Sequence, residues 1–536
     1  MARDGNSERT LWLLIFGVLA ARIVLLVTSP LGLAADEAHY WDWSRHLDLS
    51  YYSKGPGVAW VIWLSTAIFG HAEWAVRVPG AISGAVSMLA LARLAQLVAG
   101  DRRSGAGAAI AFCCAPVFVI APMIMTIDGP YVACWSVSAW AAFAMFCRLE
   151  ARRSAVGPML ALGLALGIGF LFKYTILLLP PGVLVYALLR RKSIGWNARA
   201  SVGALVGFAA FMLAISPVLI WNHQQGWPTV SHLLGHLGAP GGDMAHAEGE
   251  VYNPLWPLMF LGAQIGFTGP MGVLMVWAVV RAARSRPRRS GEMFLVHCAA
   301  PILVFYFAIA CFIEAEANWA MAGYTTLIAL VGVYGPRELD RHRAMVRAWL
   351  EDPDRPKRGL LRRKPETVFQ FGWHWSIGTG VVVASGYALL PLLDRVPLLD
   401  DVIPLHRIAG AGDRAAVLAE QVRTHHDETA EALVMADRYT KASLMAYELF
   451  RIMGEDAPVV TSAASRLGDR RSSYDTWSMR WPETDVRNPR WLGTTVHLVG
   501  GGEQLWSSAF SFDAFEVLDE EMGLSVGFGY GGLREP

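Results

Sequence analysis

The sequence predicts an all-α polytopic membrane domain over residues 1–392, with about eleven transmembrane helices and interfacial helices in the first outer loop. A small α/β soluble domain is predicted over residues 393–536. Three observations carry this reading. The 536 residues are 54% hydrophobic and only 17% charged, with a mean hydropathy of +0.36, a balance that rejects a chain of soluble domains. The apolar residues come in long runs, and the basic residues are segregated into alternate loops between them.

A bilayer core of about 30 Å takes roughly 20 apolar residues per helix, with every backbone group bonded internally. Runs at 11–28, 78–98, 105–124, 130–147, 157–172, 175–189, 200–221, 255–280, 293–313, 319–334 and 371–392 answer that need in order. The first lacks a small-residue cleavage site and is read as a retained span that doubles as signal. Residues 58–69 are apolar but short and flanked by polar turns, which suits a helix in the interface or a re-entrant segment.

Loops around Arg102, 148–153, 190–192, 281–289 and 337–366 hold most of the loop Lys and Arg. The opposite loops hold only Arg45, Lys54, Arg77 and Lys173, so the positive-inside rule turns 29–77, 127–129, 173–174, 222–253, 314–318 and the tail outward. The tail is more charged, with short apolar stretches at 432–435, 458–460 and 495–499 and a helical pattern at 441–451, as expected of strands and helices around their own core. The run Arg362-Arg363-Lys364 reads as a topology determinant and a contact for anionic membrane lipids.

A formal net charge of +1 offers no basic surplus for nucleic acid, so none is expected as a partner. All six cysteines lie inside apolar runs and read as small hydrophobes. Chemistry must come from position, and it collects at the outer face. Asp36 and Glu37 open the first outer loop, where a helix over 36–47 would align Tyr40, Trp43 and Leu47 for the lipid headgroups. Carboxylates there also answer a helix dipole, and aromatics form interfacial belts. Asp128, Lys173 and the pair Glu314 and Glu316 stand at the outer ends of three different spans. Their convergence implies a polar cavity just outside the hydrocarbon. Lys54 and Lys173 suit a leaving lipid phosphate, a carboxylate can take the proton of an attacking hydroxyl, and aromatic faces can stack a sugar or prenyl chain. Outside the cell there is no nucleotide-sugar pool, so an activated sugar arrives there on a lipid.

The elements Asp36-Glu37-Ala38-His39-Tyr40-Trp41, Ser53-Lys54-Gly55-Pro56, Thr126-Ile127-Asp128-Gly129-Pro130, Lys173-Tyr174-Thr175, Trp221-Asn222-His223, Gly226-Trp227 and Glu316-Ala317-Asn318-Trp319 follow one another in an order that resembles the GT-C superfamily of polytopic glycosyltransferases. The likeness is to the bacterial branch related to protein O-mannosyltransferases and to the aminoarabinose transferase that modifies lipid A. It implies a GT-C fold, a polyprenyl-phosphate sugar donor, inversion at the anomeric carbon, and a bacterial inner membrane with site and tail on the periplasmic side. The acceptor is a lipid A-like or other glycolipid, a polysaccharide or a protein. By the same likeness Asp36 matches the first-loop catalytic acid and Glu37 its neighbour. Lys54 and Lys173 match donor-side lysines, and Asp128 the acid of the second outer loop. Tyr40, Tyr52, Tyr174, Glu316, Asn318 and Trp319 are assigned to substrate binding or support. Ser53 departs from the lipid A branch, which has a carboxylate there; this counts against metal use and against lipid A as acceptor. Arg471-Ser472-Ser473-Tyr474-Asp475-Thr476-Trp477 looks like tails of this branch.

No cofactor is required by this reading. The loop 222–253 is rich in His223, His232, His236 and His246 with Asp243, Glu248 and Glu250. His232 and His236 at i, i+4 are compatible with a divalent metal, while a polar loop covering the donor is the plainer account. Two rivals belong to other classes. One is a transporter or flippase of a lipid-linked sugar with an outer cap, for which Arg22 is the main embedded charge. The other is a membrane-anchored scaffold whose working part is the tail.

Overall fold

The computed structural model describes residues 2–236, 240–243, 253–285, 290–352, 367–393, 406–425, 431–477 and 480–534. Its helices are α1 (Ala2–Thr28), α2 (Ala35–Arg45), α3 (Gly57–Phe69), α4 (Glu73–Ala99), α5 (Arg103–Cys114), α6 (Pro116–Ile120), α7 (Asp128–Glu150), α8 (Val156–Phe172), α9 (Leu179–Arg190) and α10 (Ala198–Gln225). They continue as α11 (Pro228–His236), α12 (Trp256–Thr268), α13 (Pro270–Arg284), α14 (Ser290–Ala310), α15 (Met321–Glu351), α16 (Val368–Leu393), α17 (His406–His425), α18 (Tyr439–Met453), α19 (Tyr474–Trp477) and α20 (Glu503–Ala509). Contacts gather the chain into two compact units, one of Met1–Thr28, Arg77–Pro217 and Val251–Leu389, the other of Ser29–Val76, Val218–Glu250 and Leu390–Pro536.

Each apolar run of the sequence falls on helix, but two are broken. Arg103–Cys114 and Pro116–Met123 meet at 88°, and Trp256–Thr268 and Pro270–Arg284 at 101°. A proline starts the second piece of each pair, because its ring removes the N–H and clashes with the preceding turn. At the second break Gly269 takes φ +55°, a left-handed corner that a side chain would strain. Among the described residues, five helices are long and apolar enough to cross a membrane, seven if each bent pair is one span. Three shorter apolar helices, Gly57–Phe69, Val156–Phe172 and Tyr174–Arg190, stand beside them.

In the first unit α7 packs on α8, α5 on α15, and α14 on α9 and α15. Without a hydrophobic force between helices in lipid, small residues set how closely the backbones approach. A Cβ on Gly163 of α8 would stand 1.9 Å from the Gly207 carbonyl oxygen of α10. The break after α5 also explains Arg22. This buried guanidinium donates from Nη2 to the Phe118 carbonyl at 2.9 Å, which has no helical donor because the residue four further on is Pro122.

In the second unit the tail forms a five-stranded sheet in the order β2-β1-β3-β6-β5, with β1 (Leu433–Ala436) parallel to β2 (Val459–Ser462) and to β3 (Val496–Val499). Antiparallel β6 (Leu524–Phe528) and β5 (Ala514–Asp519) complete it, and β4 (Phe510–Ser511) pairs with β7 (Gly532–Leu533). β1 is apolar throughout and fully buried, as a strand covered on both faces must be. The three apolar stretches and the helix read from the tail sequence are β1, β2, β3 and α18. Leu433, Met435, Val496, Leu498, Trp491 and Trp506 form the core.

The same unit holds the first outer loop, and here the expected lipid-facing helix needs correction. α2 stops at Arg45, so Leu47 is not on it. Tyr40 and Trp43 are buried rather than turned to headgroups. The helix is covered by α18, with Trp41 edge-on to Tyr447 at 5.0 Å and close to Phe450 at 5.3 Å. The chain turns at His46 because the Tyr51 hydroxyl meets the carbonyls of Trp43 and His46 at 2.8 and 2.9 Å. Exposed Trp63, Leu64, Ile68 and Phe69 put the interfacial character on α3 instead.

Candidate active site

In the first unit three helix ends deliver one polar group. Asp128 opens α7, its backbone N–H donating to the Thr126 hydroxyl at 3.2 Å. Lys173 sits in an extended break directly after α8, where the chain leaves the helix for a 3-10 turn over Tyr174–Leu178. Asn318 lies in the 3-10 turn Ala317–Ala320 that leads into α15. Lys173 Nζ donates to Asp128 Oδ1 at 2.8 Å, and Asn318 Nδ2 donates to Asp128 Oδ2 at 2.8 Å. The carboxylate thus bonds on both oxygens, with the lysine side chain 13% and its own 9% exposed. A charge pair this buried persists only when its remaining bonds are met, and removing one partner strands the other.

Aromatic rings complete the group. Lys173 Nζ lies 5.6 Å from the Tyr131 ring centre, one helical turn after Asp128, and Thr175 donates to the Tyr131 hydroxyl at 3.3 Å. Trp319 packs on Tyr306 at 5.5 Å. Tyr131 and Tyr306 escaped the sequence reading, although Tyr131, at i+3 from Asp128, carried a signal. Tyr174 turns to Phe170 instead, with ring centres 4.6 Å apart. Glu316 is exposed and contributes its carbonyl to Trp319 N–H, at 3.1 Å. Glu314, Glu316 and the apolar α12 residues Trp256, Met259 and Phe260 line a cavity of about 210 Å³ that opens to the surface.

In the second unit Asp36 and Glu37 separate. Glu37 is buried and accepts the Ala34 N–H at 3.0 Å, closing the first turn of α2, while Asp36 is exposed. Lys54 is half-buried, and its carbonyl accepts Tyr51 N–H at 3.0 Å in the turn before α3. Tyr52 donates its hydroxyl to Asp243 Oδ2, which also accepts from His232 Nδ1 at 3.2 Å. Burial holds His232 below its ordinary pKa against the pull of Asp243, so the ring is a neutral donor. Burial, then the bond to Asp243, pushes the Tyr52 phenol up. His232 is thus committed to a carboxylate. The His236 side chain, His246, Glu248 and Glu250 lie outside the described residues, and among those described no group of three His, Cys, Asp or Glu forms a metal cage.

The Trp221-Asn222-His223 and Gly226-Trp227 elements are a structural hinge. Asn222 accepts Thr229 N–H at 3.3 Å, and its carbonyl takes Trp227 N–H at 2.8 Å across a left-handed Gly226-Trp227 turn. Trp221 donates to Asp48 at 3.0 Å. Asp42, Ser443 and Tyr474, which the sequence reading did not assign, form a buried chain with His39: Tyr474 donates to Asp42 Oδ2 at 2.6 Å, and Ser443 Oγ lies 3.2 Å from Tyr474 and 2.8 Å from His39 Nδ1.

Comparison with known proteins places this geometry. Residues 53–221 match the family model described as dolichyl-phosphate-mannose-protein mannosyltransferase. The chain is 30% identical over 333 residues to a lipid A galacturonosyltransferase, RgtD, of Rhizobium johnstonii, covering 61% of this chain and 66% of that one. It is 25% identical over 314 residues to an undecaprenyl phosphate-α-4-amino-4-deoxy-L-arabinose arabinosyl transferase of an Enterobacter species, with 54% of each covered. The chain therefore spans between about half and two thirds of the length of these relatives. The fold matches the crystal structure of ArnT from Cupriavidus metallidurans bound to undecaprenyl phosphate, with a TM-score of 0.61, 18% identity and 98% of both chains covered.

Proposed function

With residues 53–221 forming a domain of the dolichyl-phosphate-mannose-protein mannosyltransferase family, of the GT-C glycosyltransferases, we propose that this polytopic membrane protein transfers a sugar from polyprenyl phosphate to an acceptor outside the bacterial inner membrane. The observation that carries the reading is the buried Lys173–Asp128–Asn318 group, a cation held ready at the junction of three helix ends. The acceptor oxygen attacks the anomeric carbon while the bond from that carbon to the lipid phosphate breaks. The electron pair leaves on the phosphate oxygen, and one displacement inverts the carbon. Lys173 offsets the growing phosphate charge, held by Asp128 and Asn318 and backed by Tyr131. Lys54 is the second cation assigned to that charge.

Asp36, exposed on the first turn of α2, takes the acceptor proton, or orients an acceptor that is already ionised. Glu37 holds that turn. Tyr40, buried under it, packs edge-on to Trp43 at 5.3 Å and acts through the fold. One named relative is a lipid A galacturonosyltransferase, which makes lipid A the first acceptor to try in spite of Ser53; the names of the two relatives make galacturonic acid and 4-amino-4-deoxyarabinose the first sugars. Their naming as transferases also favours group transfer over transport.

The test uses purified protein with undecaprenyl phosphate-linked galacturonic acid or 4-amino-4-deoxyarabinose and lipid A, read by mass spectrometry. Asp36→Asn should lower transfer at least 100-fold, the scale of a lost general base. Because Asp36 is exposed, the variant should insert and fold as the parent does. Full activity in it would reject the assignment.

A further inference from the structure

The second unit holds one more arrangement built around α2, and it comes from the tail. Tyr474 donates to Asp42 Oδ2 at 2.6 Å, and both residues are buried. Ser443 of α18 lies 3.2 Å from the Tyr474 hydroxyl and donates to the Tyr439 carbonyl at 2.8 Å. That bond, or one to Tyr474, uses the only proton Ser443 has, so His39 Nδ1 must be the donor across its 2.8 Å contact with Ser443. Burial drives the His39 pKa down to about 3, which leaves the ring neutral, with one nitrogen carrying the proton. A contiguous run of polar contacts therefore joins His39 through Ser443 and Tyr474 to Asp42, leaving and rejoining the same helix.

The segment around Tyr474 continues along the first loop. Trp477 stacks on His46 with ring centres 4.2 Å apart, and Trp481 stands edge-on to it at 5.1 Å. Arg480 donates to Asp48 at 3.0 Å. Tyr474, Trp477, Arg480 and Trp481 thus strap the stretch from Asp42 to Asp48. This is the tail motif that the sequence singled out and that the proposed chemistry leaves unused.

We propose that Tyr474 is a positioning residue for transfer: by tying Asp42 and, through Ser443, His39, it fixes the rotation of α2 and so the direction in which Asp36 points. The tail is then a working part of the enzyme. The inference rests on the role proposed for Asp36. One turn of rotation separates Asp36 from His39, so a chain that pins both His39 and Asp42 leaves the helix no freedom about its axis.

Tyr474→Phe keeps the ring and removes the hydroxyl. In the assay with the same two donors and lipid A, it should lower kcat about tenfold and leave KM for the donor unchanged within twofold. Hydrogen exchange should quicken at the amides of 35–45 and stay as in the parent in strands 433–436 and 496–499. If the strands also loosen, Ser443→Ala, which cuts only the His39 end, decides by the same two measurements. Unchanged kcat with unchanged exchange in α2 overturns the proposal, as does a kcat loss without any change in α2. An unsubstituted protein that transfers neither sugar would overturn the proposed function instead, while the exchange measurement would still judge the strap.

Discussion

His39 within α2 and His46 just past its end show how one short stretch can carry two histidines of opposite tendency. Burial, helped by the charges of Lys54 and Arg470 and opposed by Asp42, lowers His39 to about 3, so the folded protein refuses a proton that the unfolded chain accepts, and stability falls as the pH drops below about 6.5. For His46, burial also opposes the charge, and Arg45 adds to that, but the hydrogen bond and charge of Asp42, 3.4 Å away, outweigh both and raise its pKa. Its stabilisation is complete below the unfolded value and is lost as the pH rises through the folded one. His46→Gln should therefore cost about 1 kcal/mol at pH 5.5 and nothing resolvable at pH 8.5, measured by thermal melts of the purified protein at both. A gap that widens toward alkaline pH would contradict the pairing. Asp128, Lys173 and Asn318 were legible in the sequence because each is polar at the edge of an apolar run. Asp42 and Ser443 were not, since a polar residue inside a short amphipathic helix looks like any solvated one until its distant partners are known, and Tyr474 stood in a noticed tail motif without a role.

Helices were legible wherever apolar length was the whole signal, and their breaks were not, because Ala115-Pro116 and Gly269-Pro270 sit inside runs that composition alone reads as continuous. α2 failed for the converse reason: an aromatic stripe marks a face to be buried without saying whether lipid or protein will bury it. Close approach is likewise decided between elements. α8 ends at the break that holds Lys173, and its path is fixed where Gly163 meets the backbone of α10 at Gly207. Gly163→Ala would place a methyl carbon 1.9 Å from a carbonyl oxygen, so α8 must move. The expected penalty is about 1–3 kcal/mol of overpacking, together with a loss of transfer from a displaced Lys173. Melting temperature and kcat should both fall in this variant, whereas Gly157→Ala, with open space about its Cβ on the same helix, should leave both as they were. Equal behaviour of the two variants would remove the argument.

At the scale of the molecule, the proposed membrane orientation rests on one ion pair and one rule. α7 runs from Asp128 to Glu150, and α8 returns from Val156 to Phe172, so the bond between Asp128 and Lys173 puts those two ends together. The connection with Arg148, Arg152 and Arg153 must lie at the other end, about 35 Å away for a helix of 23 residues. The positive-inside rule assigns the arginine end to the cytoplasm, which turns the Lys173 end outward. That is the side on which the proposed polyprenyl-linked donor would be met. In a variant whose native cysteines are replaced, Thr175→Cys should react with a membrane-impermeant maleimide in cells with a permeabilised outer membrane, and Arg152→Cys only after the inner membrane is opened. Gly468→Cys, in the tail, should react as Thr175→Cys does. The reverse pattern at 152 and 175 would place the Lys173 group in the cytoplasm, where soluble nucleotide sugars compete as donors, and the argument for a lipid-linked donor from compartment would fail.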